Sequence, residues 1–304
     1  MSAPTRLLEL DDLDPAQVGR ILDRAIAWKA ASPSVSPVLA GSAVAALFEK
    51  PSARTRISVE VAVATLGGHP IYVRGEEVGL DTRESVEDVA RTMAGMCSVI
   101  MARVFDHAVL ERMAAVVPVP VVNLLSDRAH PCQALADLLT IREHFGDLAG
   151  RRVAFVGDGN NVAASLAFAA AVSGIELVVA SPEGFRLDEQ IVDRARNLGG
   201  VVEITSDPYE AVRGADVVYT DVWTSMGQEA EQAHRRIAFT GFGVDEDLMA
   251  ATPDGAVFMH CLPAHRGEEV AAEVIDGPRS LVWPQAANRM HSVRALLGEL
   301  LEEA

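Results

Sequence analysis

Short apolar runs alternate with helix-like stretches along nearly the whole chain, and the alternation starts twice. In the first half GSAVAALFEK, HPIYVRG, CSVIMARVF and VPVPVVNLLS read as strands. Between them lie RTRISVEVAVATL, a helical pattern after Glu84-Ser85, and DHAVLERMAAVV. In the second half RRVAFVGD, IELVVAS, VVEITSD, ADVVYTDVW and AVFMHCLP read as strands, with helices such as NNVAASLAFAAAVSG and LDEQIVDRARNLGG between them. Such alternation builds parallel sheets covered by helices. Runs like VVYT and VFMH are nearly continuously apolar, so both sheet faces should be buried. The predicted fold is α/β: two parallel-sheet domains of similar size with an active-site cleft between them. At 304 residues the chain is also long enough for one core to split in two.

Punctuation residues set the boundaries. Asp14 is placed to cap a first helix with Pro15 at its first position. PCQALADLLTIREHFG reads as a long helix from Pro131, followed by the loop-like GDLAGR. The predicted division is 1–130, a linking helix and loop over 131–149, a second domain over 150–284, and a terminal helix over 285–304 expected to pack back on the first domain. The apolar run 162–180 is broken by Ser173-Gly174 and Glu176, so it reads as a buried helix and strand rather than a membrane span.

Charge narrows the partners. A net charge of −17 argues against nucleic acid and against an anionic membrane, which need a clustered positive field. It leaves room for an anionic small molecule in a local basic pocket. Three cysteines make no disulfide framework, and the N-terminus shows no secretory pattern, so a reducing, cytoplasmic setting is expected.

Ligands of parallel α/β domains bind at the carboxyl ends of the strands, where four polar clusters fall. The first is 48-FEKPSARTR-56. A helix start favours an anion, Ser52 and Thr55 carry hydroxyls, and Arg54 can fork onto phosphate oxygens. The same residues also fit a plain N-cap with solvent-facing arginines. Arg56 should point elsewhere and form a structural ion pair. The second is Arg103, closing a buried strand, where its charge must be matched. The third is 130-HPCQ-133, with His130 and Gln133 as polar groups and Cys132 as a small buried hydrophobe. The fourth spans Asn160-Asn161, 221-DVWTSMG-227, 260-HCLP-263 and Arg289. Asp221 could grip an ammonium group, and a Cys261 thiol near arginines could be partly ionised. The third glycine of a dinucleotide fingerprint is missing after GDG, and the strand IELVVA ends in Ser181 rather than an acid. His260 and His265 show no third metal ligand nearby in sequence. No metal or organic cofactor is expected.

Together FEKPSARTR, HPCQALAD, GDGNN, DVWTSMG and HCLPAHRGEEV resemble the ornithine carbamoyltransferases of the aspartate/ornithine transcarbamoylase family, over almost the whole chain. The resemblance implies a first domain for carbamoyl phosphate and a second for L-ornithine, assembled as a homotrimer or as an assembly of trimers. It implies transfer of the carbamoyl group to the δ-amine of ornithine, giving citrulline and phosphate, a step of arginine biosynthesis. It places carbamoyl phosphate on Ser52, Ala53, Arg54, Thr55, Arg103, His130, Gln133, Cys261, Leu262 and Arg289. It places ornithine on Asn161, Asp221, Ser225 and Met226. Of these, Arg103, His130, Thr55 and Cys261 would be catalytic. Ala53, where the family often carries Thr or Leu, offers only its backbone N–H. His265 and Arg266 receive no role. The competing readings are a carbamoyltransferase for another amine such as putrescine or a modified ornithine, an NAD-dependent dehydrogenase, and a noncatalytic relative.

Overall fold

The computed structural model describes residues 6–31, 37–225, 227 and 229–302. The chain divides into two units, residues 1–139 with 287–304, and residues 140–286.

The first unit opens with β1 (Arg6–Leu7) and α1 (Pro15–Ala30). It continues through β2 (Ala43–Phe48), α2 (Ala53–Thr65), β3 (His69–Arg74), α3 (Gly75–Val78), α4 (Val86–Ala94), β4 (Val99–Arg103), α5 (His107–Val116) and β5 (Val121–Leu125). Helix α6 (Pro131–Phe145) follows. The strands form one parallel sheet in the order β1-β5-β4-β2-β3. Sequence cues start these helices as expected. Asp14 caps α1 with Pro15 at its first position, and Ser85 caps α4. Strands β2, β4 and β5 are buried almost throughout, whereas the edge strand β3 is mostly exposed or half-buried.

The second unit runs β6 (Arg152–Val156), α7 (Asn161–Ser173), β7 (Glu176–Ala180), α8 (Glu189–Asn197), β8 (Val201–Thr205), α9 (Pro208–Val212) and β9 (Val217–Thr220). It is completed by α10 (Gln232–Ala238), α11 (Glu246–Ala250), β10 (Val257–His260) and α12 (Ala272–Ile275). Its parallel sheet has the order β10-β9-β6-β7-β8. β9 sits beside β6 across a reversal of strand order, the place where α/β sheets bind ligands. The run 162–180 is indeed helix then strand, and α7 is buried on nearly all sides. Its small alanines let it pack closely. Among the described residues, no helix is long and apolar enough to cross a membrane.

Helix α13 (Val282–Glu302) ends the chain, and its residues from 287 belong to the first unit. Arg20 on α1 bonds the fully buried Glu299 at 2.8 Å, and Lys29 bonds Asn288 at 2.9 Å. These contacts hold α13 to α1. Sequence patterning missed the two-residue β1 and the helix α10 behind DVWTSMG.

Candidate functional site

The first unit gathers cationic and hydroxyl side chains at the carboxyl end of its sheet. Phe48 at the end of β2 pairs with Arg103 at the end of β4, and Glu49 N donates to Arg103 O at 2.9 Å. The start of FEKPSARTR therefore lies beside Arg103. Four residues on, Ser52 caps α2 in extended conformation, its Oγ accepting from Thr55 N at 3.3 Å. The cap is thus built into a helix start whose N–H groups and hydroxyls are of the kind that suit an anion. The Ser52 hydroxyl donates to Thr55 Oγ1 at 3.1 Å, leaving the Thr55 hydroxyl its own proton to give. Thr55 is buried, while Ala53 and Arg54 stand exposed in the first turn. Arg56 points away, as expected: it bonds Glu60 at 2.7 Å and lies 4.1 Å over the Tyr72 ring.

His130 and Gln133 enter from the start of α6, and Arg289 from α13. Arg289 Nη1 donates to Gln133 Oε1 at 2.6 Å and lies 3.2 Å from His130 Nε2. A guanidinium can only donate, so Nε2 accepts and the imidazole proton sits on Nδ1. Burial, then Arg289 and Arg103, hold the His130 pKa well below its ordinary value. His130 is therefore a neutral donor through Nδ1. The rest of the Gln133 amide is fixed too, since Nε2 donates to the fully buried Asp137 at 2.7 Å. Asp137 escaped the sequence reading, although its spacing in QALAD puts it one helical turn beyond Gln133. Cys132 is an inert buried thiol, pushed up to about 11 by burial. Lys50 lies near Arg103, and burial followed by that like charge lowers its pKa. Such a gathering of cations favours a bound anion.

The second unit builds a carboxylate–thiol pair at the ends of β9 and β10. Asp221 follows β9, and its side chain is mostly buried. Its Oδ2 accepts from Asn160 Nδ2 at 2.8 Å, and its Oδ1 from the Cys261 thiol at 3.0 Å. One partner of Cys261 is thus a carboxylate, to which the thiol donates its proton. Asn160 also caps α7 through Oδ1, and so ties GDGNN to both α7 and Asp221. Asn161 is the first residue of α7 and half-buried. A Cβ at Gly159 would lie 2.2 Å from Leu187 N, which leaves room only for glycine in this loop. Leu262 has φ +60°, and its N–H donates to His260 Nδ1 at 2.9 Å. Its peptide to Pro263 is cis. Ser225 is half-buried in the segment after β9, and Met226 lies outside the described residues.

Behind this pair, buried Arg235 on α10 donates to Asp158 Oδ2 at 2.7 Å and to the Trp223 carbonyl at 2.8 Å. Burial raises the Asp158 pKa even so. No sequence pattern signalled this pair. Arg266 bridges Asp276 at 2.7 Å, an exposed structural contact. The expectation that His260 and His265 lack further ligand atoms is corrected. Asp221, His260 and Cys261 offer three ligand atoms within 4.8 Å, and so do His265, Glu268 and Glu269. In the first set, His260 Nδ1 and both Asp221 oxygens already accept hydrogen bonds within the fold.

Comparison with known proteins matches both units. The family model for the carbamoyl-P binding domain of aspartate/ornithine carbamoyltransferase covers residues 5–143, and that for the Asp/Orn binding domain covers residues 149–300. The chain is 50% identical to the ornithine carbamoyltransferase of Acidothermus cellulolyticus over 298 residues, 97% of this chain and 96% of that one. The ornithine carbamoyltransferase structure from Pyrococcus furiosus aligns with a TM-score of 0.95 at 46% identity, covering 99% of each chain. That from Thermus thermophilus aligns at 0.90 and 45% identity, over 98% of this chain and 99% of that one. The chain belongs to the aspartate/ornithine carbamoyltransferase family.

Proposed function

We infer that the protein transfers the carbamoyl group of carbamoyl phosphate to the δ-amine of L-ornithine, giving L-citrulline and phosphate. One observation carries this: half of all positions match an ornithine carbamoyltransferase across 97% of the chain. Each unit taken by itself supplies matching chemistry. Cations and a helix start in the first unit suit a phosphate, and the Asp221 carboxylate in the second suits an ammonium group.

The reading assigns phosphate to Arg54, the hydroxyls of Ser52 and Thr55, and the first-turn amide of Ala53. Arg103, Arg289 and neutral His130 address the carbamoyl oxygen, on which negative charge grows as the tetrahedral intermediate forms. Gln133, fixed by Arg289 and Asp137, faces the carbamoyl nitrogen. Asp221 takes the α-ammonium of ornithine, with Asn161, Ser225 and Met226 around the rest of the amino acid. Cys261 and the Leu262 carbonyl stand by the reacting amine. That amine must be neutral to attack. In water, removing the proton at pH 7 from an alkylammonium of pKa about 10.4 costs roughly 4–5 kcal/mol.

The assembly proposed is a homotrimer, or an assembly of trimers. Supporting it, Ile57 and Val61 on α2 and Ile71 on edge strand β3 are exposed apolar side chains on the first unit. A cytoplasmic location is proposed on the strength of three cysteines held as thiols.

The deciding experiment presents carbamoyl phosphate with ornithine, putrescine and modified ornithines, and follows ureido product and phosphate together. Ornithine should be preferred by orders of magnitude in kcat/KM. Preference for a decarboxylated amine would move the assignment to another carbamoyltransferase.

A further inference from the structure

The turn that delivers His130 is built on a buried polar cluster that the proposed reaction does not use. β5 ends at Leu125 and α6 begins at Pro131. Between them Ser126 N donates to Ala129 O at 2.9 Å, closing the turn. Inside it the Ser126 hydroxyl is fully buried. Its Oγ accepts from Ala129 N at 3.2 Å and from Asn123 Nδ2 at 3.3 Å. Neither of those groups can accept a proton in return. The third neighbour, His107 Nδ1 at 2.8 Å, can, and takes the hydroxyl proton. His107 is therefore neutral, with its own proton on Nε2. Burial lowers its pKa and keeps it so.

A second tie runs through the backbone. His107 N donates to Asp127 Oδ1 at 2.8 Å, and Asp127 N donates to Phe105 O at 3.1 Å. Phe105 and His107 follow Arg103 by two and four residues. The segment leaving β4 is thus fastened to the turn leaving β5 at Ser126 and at Asp127. One of those strands ends in Arg103 and the other leads to His130. In the sheet itself, the register between the two strands shifts between Ala102 and Arg103. The ladder alone does not set the relation of the two ends, and the clamp beyond it does.

We propose that His107 is a positioning residue for carbamoyl transfer: by accepting the Ser126 hydroxyl proton it fixes the turn that holds His130 in register with Arg103, without touching substrate. The proposal rests on the assignment of Arg103 and His130 to the carbamoyl-phosphate site. An apolar side chain at 107 leaves the buried hydroxyl without this acceptor. An asparagine places an amide oxygen near the position of Nδ1 and restores one.

The test compares His107→Leu, His107→Asn and, as a control, His130→Ala by steady-state kinetics with both substrates varied. His107→Leu should lose at least tenfold in kcat/KM for carbamoyl phosphate while the KM for ornithine stays within twofold. His107→Asn should return to within about threefold of the parent. A purely structural role would instead lower the thermal midpoint and the active fraction, leaving both KM values in place. If His107→Leu does not fold, Ser126→Ala removes the same bond with little change of volume and is read the same way. Unchanged kcat/KM in the folded variant, beside a disabled His130→Ala, overturns the proposal alone. Unchanged kcat/KM in His130→Ala removes the site assignment, and the proposal with it.

Discussion

The guanidinium of Arg289 reaches Nε2 of His130 at 3.2 Å, across 159 positions of sequence. It fixes which imidazole nitrogen holds the proton, and its charge helps keep the ring neutral. Arg289→Ala should therefore lose both a donor and the order around Gln133. The expected drop in kcat/KM for carbamoyl phosphate is about 10²–10³, the usual cost of deleting a donor to a developing oxyanion. Steady-state rates with carbamoyl phosphate varied would check it, and a loss under about tenfold would place Arg289 outside the reaction.

Arg54 is exposed in the first turn of α2, beside the Ser52 cap. Arg54→Ala should abolish measurable binding of carbamoyl phosphate in calorimetry while leaving the fold intact, because no packed contact is removed. Ser52→Ala, by contrast, should also lower stability by about 1 kcal/mol through the lost cap. Parent-like affinity in Arg54→Ala would reject its role as a phosphate ligand.

Asp221 accepts from both Asn160 and Cys261. Asp221→Asn should raise the KM for ornithine by ten- to a hundredfold with carbamoyl phosphate binding nearly unchanged. Cys261→Ala should act on kcat more than on either KM. Equal ornithine profiles for Asp221→Asn and the parent would count against the α-ammonium contact.

His130 and His107 both have folded pKa values below the ordinary 6.5, chiefly because burial disfavours the charged ring. Below about pH 6.5 the unfolded chain then binds protons that the folded chain does not. Stability should fall as pH drops from about 6.5 toward the folded values, and should be flat above it with respect to these two groups. Urea midpoints between pH 5 and 7.5 would show the slope. The double variant His130→Gln, His107→Asn should flatten it.

Much of this was readable in the sequence. The doubled alternation of strands and helices gave both sheets, and motif resemblance picked out residues at their carboxyl ends. Arg56 was separated from Arg54 by helical geometry alone. What escaped was whatever depends on long-range pairing. Asp158 and Arg235 are 77 positions apart, and nothing in GDGNN or QAHRRIA announces that they meet. Asn160 and Asn161 are neighbours of one type, and only the direction of the α7 cap decides that Asn160 holds Asp221. The bond from the Cys261 thiol to Asp221, 40 residues back, likewise has no sign in the local sequence.

The first unit takes its last groups from the far end of the chain. His130, Gln133 and Arg103 are all present once residue 139 has been made, yet Arg289 lies on the final helix. Domains fold as they emerge during synthesis, amino-terminal first. A nascent chain can therefore complete both sheets while His130 and Gln133 still lack their Arg289 partner. Translation that stops before residue 289 yields a protein with FEKPSARTR and HPCQ in place but without the guanidinium that bonds His130 and Gln133, so a truncated product carries these signatures of the family with their polar network incomplete.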